Sequence, residues 1–159
     1  MKHIGWCLDR IQMVMLRAPL DLNSAKDVDK ANRIVNNVQY YVKTLSELIA
    51  NPNLRACLNQ LESYPDEELR LEAHQIETLF KDLEHTTHQL ILYIEELREV
   101  IKHRPQEWRK VGDQLVLMID QKFGGERGEL RKEFGAVLHK EADLRALITC
   151  EEHLAEFLK

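Results

Sequence analysis

From Leu69 to Ile101 an apolar residue returns at alternating steps of four and three: Leu69, Ala73, Ile76, Phe80, Leu83, Thr87, Leu90, Ile94, Leu97 and Ile101, with Thr87 the one polar member. Nothing else in the chain limits the fold so sharply. A step averaging about 3.5 residues keeps one narrow strip of an α-helix turned toward a partner, and it is incompatible with the two-residue period of a strand. Val28, Ala31, Val35, Val38, Val42, Leu45 and Ile49 form a second strip in the same rhythm.

The punctuation agrees. Only six glycines and four prolines interrupt 159 residues, so long stretches pass without a helix breaker. An opening block over residues 2–17 repeats Ile4, Leu8, Ile11 and Met15 at helical spacing, and Ser24 with Asp27 three residues later reads as the N-cap of the next. NPN at 51–53 ends that block, a short piece LRACLNQL follows, and the cap candidate Ser63 and Pro65, ahead of Asp66, Glu67 and Glu68, announce the long helix that runs to about His103. Trp108, Val111, Leu115, Met118 and Ile119 line a fourth helix closed by FGGERG, and a last one, from about Glu126, carries Leu130, Phe134, Val137, Leu144, Ile148, Ala155 and Leu158. The expectation is an all-α chain: one domain over 1–159, an antiparallel helical bundle of four to five helices with long coiled-coil-like heptad seams.

Composition narrows the class. Apolar residues at 44% suit a packed domain rather than a disordered chain. Cys7, Cys57 and Cys150 are odd in number and widely separated, which supports neither a disulfide framework nor a zinc knuckle. MKHIGWCLDRIQMVML places Asp9, Arg10 and Gln12 where a signal peptide needs an apolar core, and no apolar run reaches membrane-spanning length. A cytoplasmic protein with no membrane partner is expected. The net charge of −5 is concentrated in residues 51–100, so one long acidic helix holds the imbalance.

The stretch HQIETLFKDLEHTTHQL, residues 74–90, gathers three of the seven histidines among carboxylates. On a helical wheel His74, Glu77, Lys81, His85 and His88 share a face within about 60° of His74. His74, Asp82, His85 and His88 are therefore the candidate metal ligands, imidazole and carboxylate being able to bind a divalent ion. The apolar strip centres on the opposite side, which favours a solvated face; His88 lies at the boundary where the helix becomes apolar nearly all round. A di-iron bundle is excluded by the lack of any Glu-x-x-His.

At the end of the same helix, Arg98-Glu99-Val100-Ile101-Lys102-His103 has the Arg-x4-His spacing. These six residues resemble the ribonucleolytic motif of HEPN-domain proteins, small helical domains that are often dimers. That resemblance implies a metal-independent ribonuclease in which Arg98 stabilises phosphate charge and His103 assists proton transfer at a dimer cleft. The residue after the arginine in that family is usually small and polar, whereas here it is Glu99. A charged helix end whose cations suit the C-terminal dipole is the plainer alternative. Next to it, Lys102, Arg104, Arg109 and Lys110 surround Trp108 in KHRPQEWRK, a turn that could hold an anion or stack a nucleic-acid base, although Trp108 also belongs to the fourth helix's apolar strip.

No catalytic triad and no phosphate-binding glycine motif can be assembled from the remaining residues. The sequence therefore predicts a non-catalytic helical-bundle interaction or scaffold protein, without a cofactor, that pairs as a homodimer and meets a protein partner. The seams can close within one chain or across a second copy. The ribonuclease and the His/Asp metal-binding bundle are the two alternatives.

Overall fold

The computed structural model describes residues 4–63, 65 and 67–123. They are mostly helical, with no strand among them: α1 (Ile4–Leu16), α2 (Ala25–Ile49), α3 (Pro52–Glu62), α4 (Glu67–His103), a 3-10 turn (Pro105–Glu107) and α5 (Trp108–Phe123). The FGGERG turn after Phe123 and the predicted last helix, with its strip from Leu130 to Leu158, lie outside the described residues.

Local chemistry sets the boundaries. Ser24 is extended (φ −140°, ψ 163°) and its hydroxyl accepts from the Asp27 amide at 3.2 Å, giving one unpaired donor of the first turn a partner. NPN does two jobs where one was expected. It ends α2, and Pro52 then heads α3, because a proline at the first helical position loses no bond the helix needs. The Arg55 amide already reaches the Asn51 carbonyl at 3.2 Å, so α3 starts earlier than its apolar residues suggest. Ser63, expected to cap α4, instead donates its hydroxyl to the Gln60 carbonyl at 2.9 Å and so helps close α3. α4 ends at His103, and a turn in which the Glu107 amide meets the Arg104 carbonyl at 2.9 Å reverses the chain into α5.

The expected strips are largely the buried ones. Ile4, Leu8, Ile11 and Met15 of α1, Ala31 through Ile49 of the α2 row, and Phe80, Leu83, Leu90, Ile94, Leu97 and Ile101 of α4 are all buried, as are Trp108, Val111, Leu115 and Ile119 of α5. Val28 and Met118 are half-buried; the side chains of Leu69, Ala73 and Ile76 lie outside the described residues. Each large apolar side chain enclosed in this way contributes roughly 1.5–3 kcal/mol of transfer free energy. The polar member of the α4 strip, Thr87, is tolerated because its hydroxyl donates to the Leu83 carbonyl one turn back at 2.8 Å. Thr86 and Thr44 are buried under the same arrangement, bonded to the carbonyls of Asp82 and Tyr40.

α2 packs between α1 and α4, α5 packs on α4 and on α1, and α3 packs on α4. Contacts along α4 run in reverse order to the chain. Asn36 and Gln39 of α2 meet Arg98, Arg55 of α3 pairs with Glu84, and Glu62 at the end of α3 meets Glu77. α3 thus prolongs the course of α2 along α4 beyond the bend at residues 50–51.

Candidate functional site

The α4 histidine face is exposed. His74, His85 and His88 are all on the surface, whereas Asp82 is half-buried on the flank toward α5, where its carboxylate lies 4.0 Å from Lys122 Nζ. No group of three His, Cys, Asp or Glu side chains able to hold a metal ion forms among the described residues. The proposed ligands His74, Asp82, His85 and His88 form no such group, since they lie along one helix and are spread over several of its turns. His88 has a different neighbourhood from the other two. It lines a groove of about 480 Å³ with Ser46, Ile49, Arg55, Glu84 and Ile91, at the level where α2 gives way to α3 against α4. Arg55 pairs there with Glu84 and lies 6.0 Å from the centre of the Phe80 ring.

The two ends of the Arg-x4-His spacing have separate partners. Five helical residues turn the chain through roughly 140° beyond a full turn, so Arg98 and His103 diverge on α4. Arg98 Nη2 donates to Asn36 Oδ1 at 3.0 Å and to Gln39 Oε1, joining α4 to α2. His103 Nε2 instead lies 3.6 Å from Glu99 Oε1 on its own exposed helix face.

At the basic turn Lys102, Arg109 and Lys110 are exposed, and Arg104 is held 2.8 Å from Glu107 Oε2. Trp108 does not join them. It is 2% exposed, and its indole N–H donates to the Pro19 carbonyl at 2.7 Å, fastening α5 to the loop between α1 and α2. The expectation that this ring could stack a base meets a physical obstacle, since an indole this enclosed has no open face for one.

The aromatics that reach the surface among the described residues are elsewhere, outside the strips that the sequence singles out. Trp6 meets Tyr41 edge to face at 5.4 Å and 77°, Tyr41 meets Tyr40 at 5.3 Å and 72°, and the Arg10 guanidinium lies 5.5 Å over Trp6. Tyr40 is 50% exposed. A groove of about 420 Å³ continues from Tyr40 along α2, lined also by Lys43, Thr44, Glu47, Leu48 and Asn51. The available signal was phase: Trp6, Tyr40 and Tyr41 fall off the apolar rows of α1 and α2, where an amphipathic helix ordinarily carries polar residues.

Comparison with protein-family models, curated proteins and solved structures finds no match to this chain.

Proposed function

We propose that this chain is a non-catalytic interaction protein: an antiparallel helical bundle, closed by heptad seams, that self-associates and offers its outer helix faces to a protein partner. The observation that carries this reading is the separation of polar chemistry from the shared interior. Thr44, Thr86 and Thr87 are the buried polar residues among those described, and each is bonded to its own helix. The charged groups singled out by the sequence are instead spread over outer faces, paired locally or used between helices, as Arg98 is with Asn36 and Gln39. The opposed order of contacts along α2, α3 and α4 supports the antiparallel arrangement. No helix among the described residues is long and apolar enough to cross a membrane.

The test is the mass of the particle in solution by light scattering during size-exclusion chromatography. A homodimer has twice the 18.7 kDa of one chain. A strict monomer at every concentration overturns self-association. Incubation with mixed RNA tests the non-catalytic part: cleavage by the unaltered protein that His103→Ala abolishes would make the chain a ribonuclease instead. Saturable zinc binding that His85→Ala removes would return the metal reading.

A further inference from the structure

Beyond the buried row of α2 runs a second stripe, Tyr40, Lys43, Thr44, Glu47 and Leu48, on the helix's outer side. It repeats at three- and four-residue steps, as a helix-packing surface does. Its floor is Thr44, 9% exposed, whose hydroxyl donates to the Tyr40 carbonyl at 3.0 Å and so places no unmet donor in a contact. At one end Tyr40 leads into the Tyr41–Trp6–Arg10 cluster, and Trp, Tyr and Arg are the residues that dominate binding energy at protein interfaces.

The charges identify the occupant. Lys43 and Glu47 stand one turn apart with opposite signs, and neither makes an ion pair with a described residue. When a helix meets its own copy across a two-fold axis, each residue before the midpoint faces one the same distance after it. With the axis at the level of Leu45, Lys43 of each copy faces Glu47 of the other, and two equivalent pairs form. The same operation carries Tyr40 to the Asn51 end of the second copy's groove. Resting on the self-association read above, we propose that the outer stripe of α2 is the dimer interface, two copies crossing antiparallel with reciprocal Lys43–Glu47 pairs and Tyr40 as the anchor.

Sedimentation equilibrium on the full chain, with far-UV circular dichroism as a control for folding, tests this with four variants. Lys43→Glu and Glu47→Lys each create two like-charge contacts across the axis and should weaken the dimer about tenfold or more. The double exchange restores both pairs and should return the dissociation constant to within about threefold of the unaltered protein. Tyr40→Ala should weaken it about tenfold through loss of an aromatic anchor. Single exchanges that leave dimerisation unchanged overturn this surface while self-association stands. Weakened singles that the double exchange fails to rescue overturn the reciprocal pairing, and an unaltered protein that is monomeric throughout overturns both the surface and the reading beneath it.

Discussion

The two tryptophans stand in opposite circumstances. Trp108 is 2% exposed and gives its indole proton to Pro19, at a junction of α5 with the α1–α2 loop. Trp6 is half-buried on the outer side of α1, touching the edge of Tyr41 and the Arg10 guanidinium. The difference lies in phase. Trp108 heads the row Val111, Leu115 and Ile119 that α5 turns inward, whereas Trp6 sits about 160° from the Ile4–Leu8–Ile11 side of α1. An aromatic in phase with its helix's row is fully enclosed, and one out of phase packs against the core on one side and leaves the other side open.

Removing Trp108 should therefore have the largest effect. Trp108→Ala leaves a cavity and an unpaired Pro19 carbonyl, and should lower the unfolding free energy by about 3–5 kcal/mol in urea denaturation. Trp108→Phe keeps most of the volume but loses the donor, and should cost about 1–2 kcal/mol. A Trp108→Ala loss under about 2 kcal/mol would place this ring in the same class as Trp6 and end the contrast. Trp6→Ala removes one edge-to-face contact, one cation–π contact and the half-buried part of the ring's packing against the core, for about 1–2 kcal/mol. A loss equal to that of Trp108→Ala would mean that the outer face of α1 and α2 is core, and would withdraw it as an interface.

The same distinction separates what the sequence carries from what only the fold sets. Phase along one helix is a local property, so the rows of α1, α2, α4 and α5, the outward direction of His74 and His85, and the membership of Trp108 in an apolar strip were all present in the sequence. Ser24 with Asp27 was equally local. What one helix's outer residues meet on another is not local. Arg98 finds Asn36 and Gln39 only once the register of α2 against α4 is fixed, and no spacing within α4 contains that information. His88 illustrates the boundary: its place beside an apolar stretch was readable, but the groove it shares with Ser46 and Arg55 depends on where α2 bends into α3. Ser63 failed as a cap for a simpler reason, since a hydroxyl between two helices can serve either end.

One turn beyond Trp108, Gly112 gives a smaller test of the inner junction. A Cβ there would lie 3.1 Å from Met15 Cε, the free end of a flexible side chain that can rotate away. Glycine within a helix is about 1 kcal/mol worse than alanine, so Gly112→Ala should stabilise the protein by about 0.5 kcal/mol after Met15 adjusts. A destabilised variant in the same urea series would show that the α1–α5 contact is too tightly packed to yield, which would extend the rigid region around Trp108.

The smallest effect belongs to the exposed end of the scale, the carboxyl pair where α3 meets α4. The hydrogen bond between Glu62 and Glu77 raises Glu62 above the ordinary 4.5, with desolvation and then the Glu77 charge adding to it. The same bond lowers Glu77, helped by Lys81. A raised carboxyl contributes stability in its protonated form, which is lost as pH rises through its folded value. A lowered one contributes stability in its charged form, which is lost as pH falls through its folded value. The pair is thus most favourable in a window around pH 4.5 and weakens on both sides. Glu62→Gln keeps a donor toward Glu77 at every pH and cannot become charged. Its urea midpoint should match that of the unaltered protein near pH 4.5 and exceed it slightly at pH 7, the gap opening as pH climbs through the raised value of Glu62 and then staying level. Midpoints that differ by the same amount at both pH values would mean that the two carboxyls do not share a proton. Because Glu62 is exposed and Glu77 only half-buried, the gap should be smaller than that for Gly112→Ala, which would leave the molecule's stability with the inward rows and its polar faces free for contact.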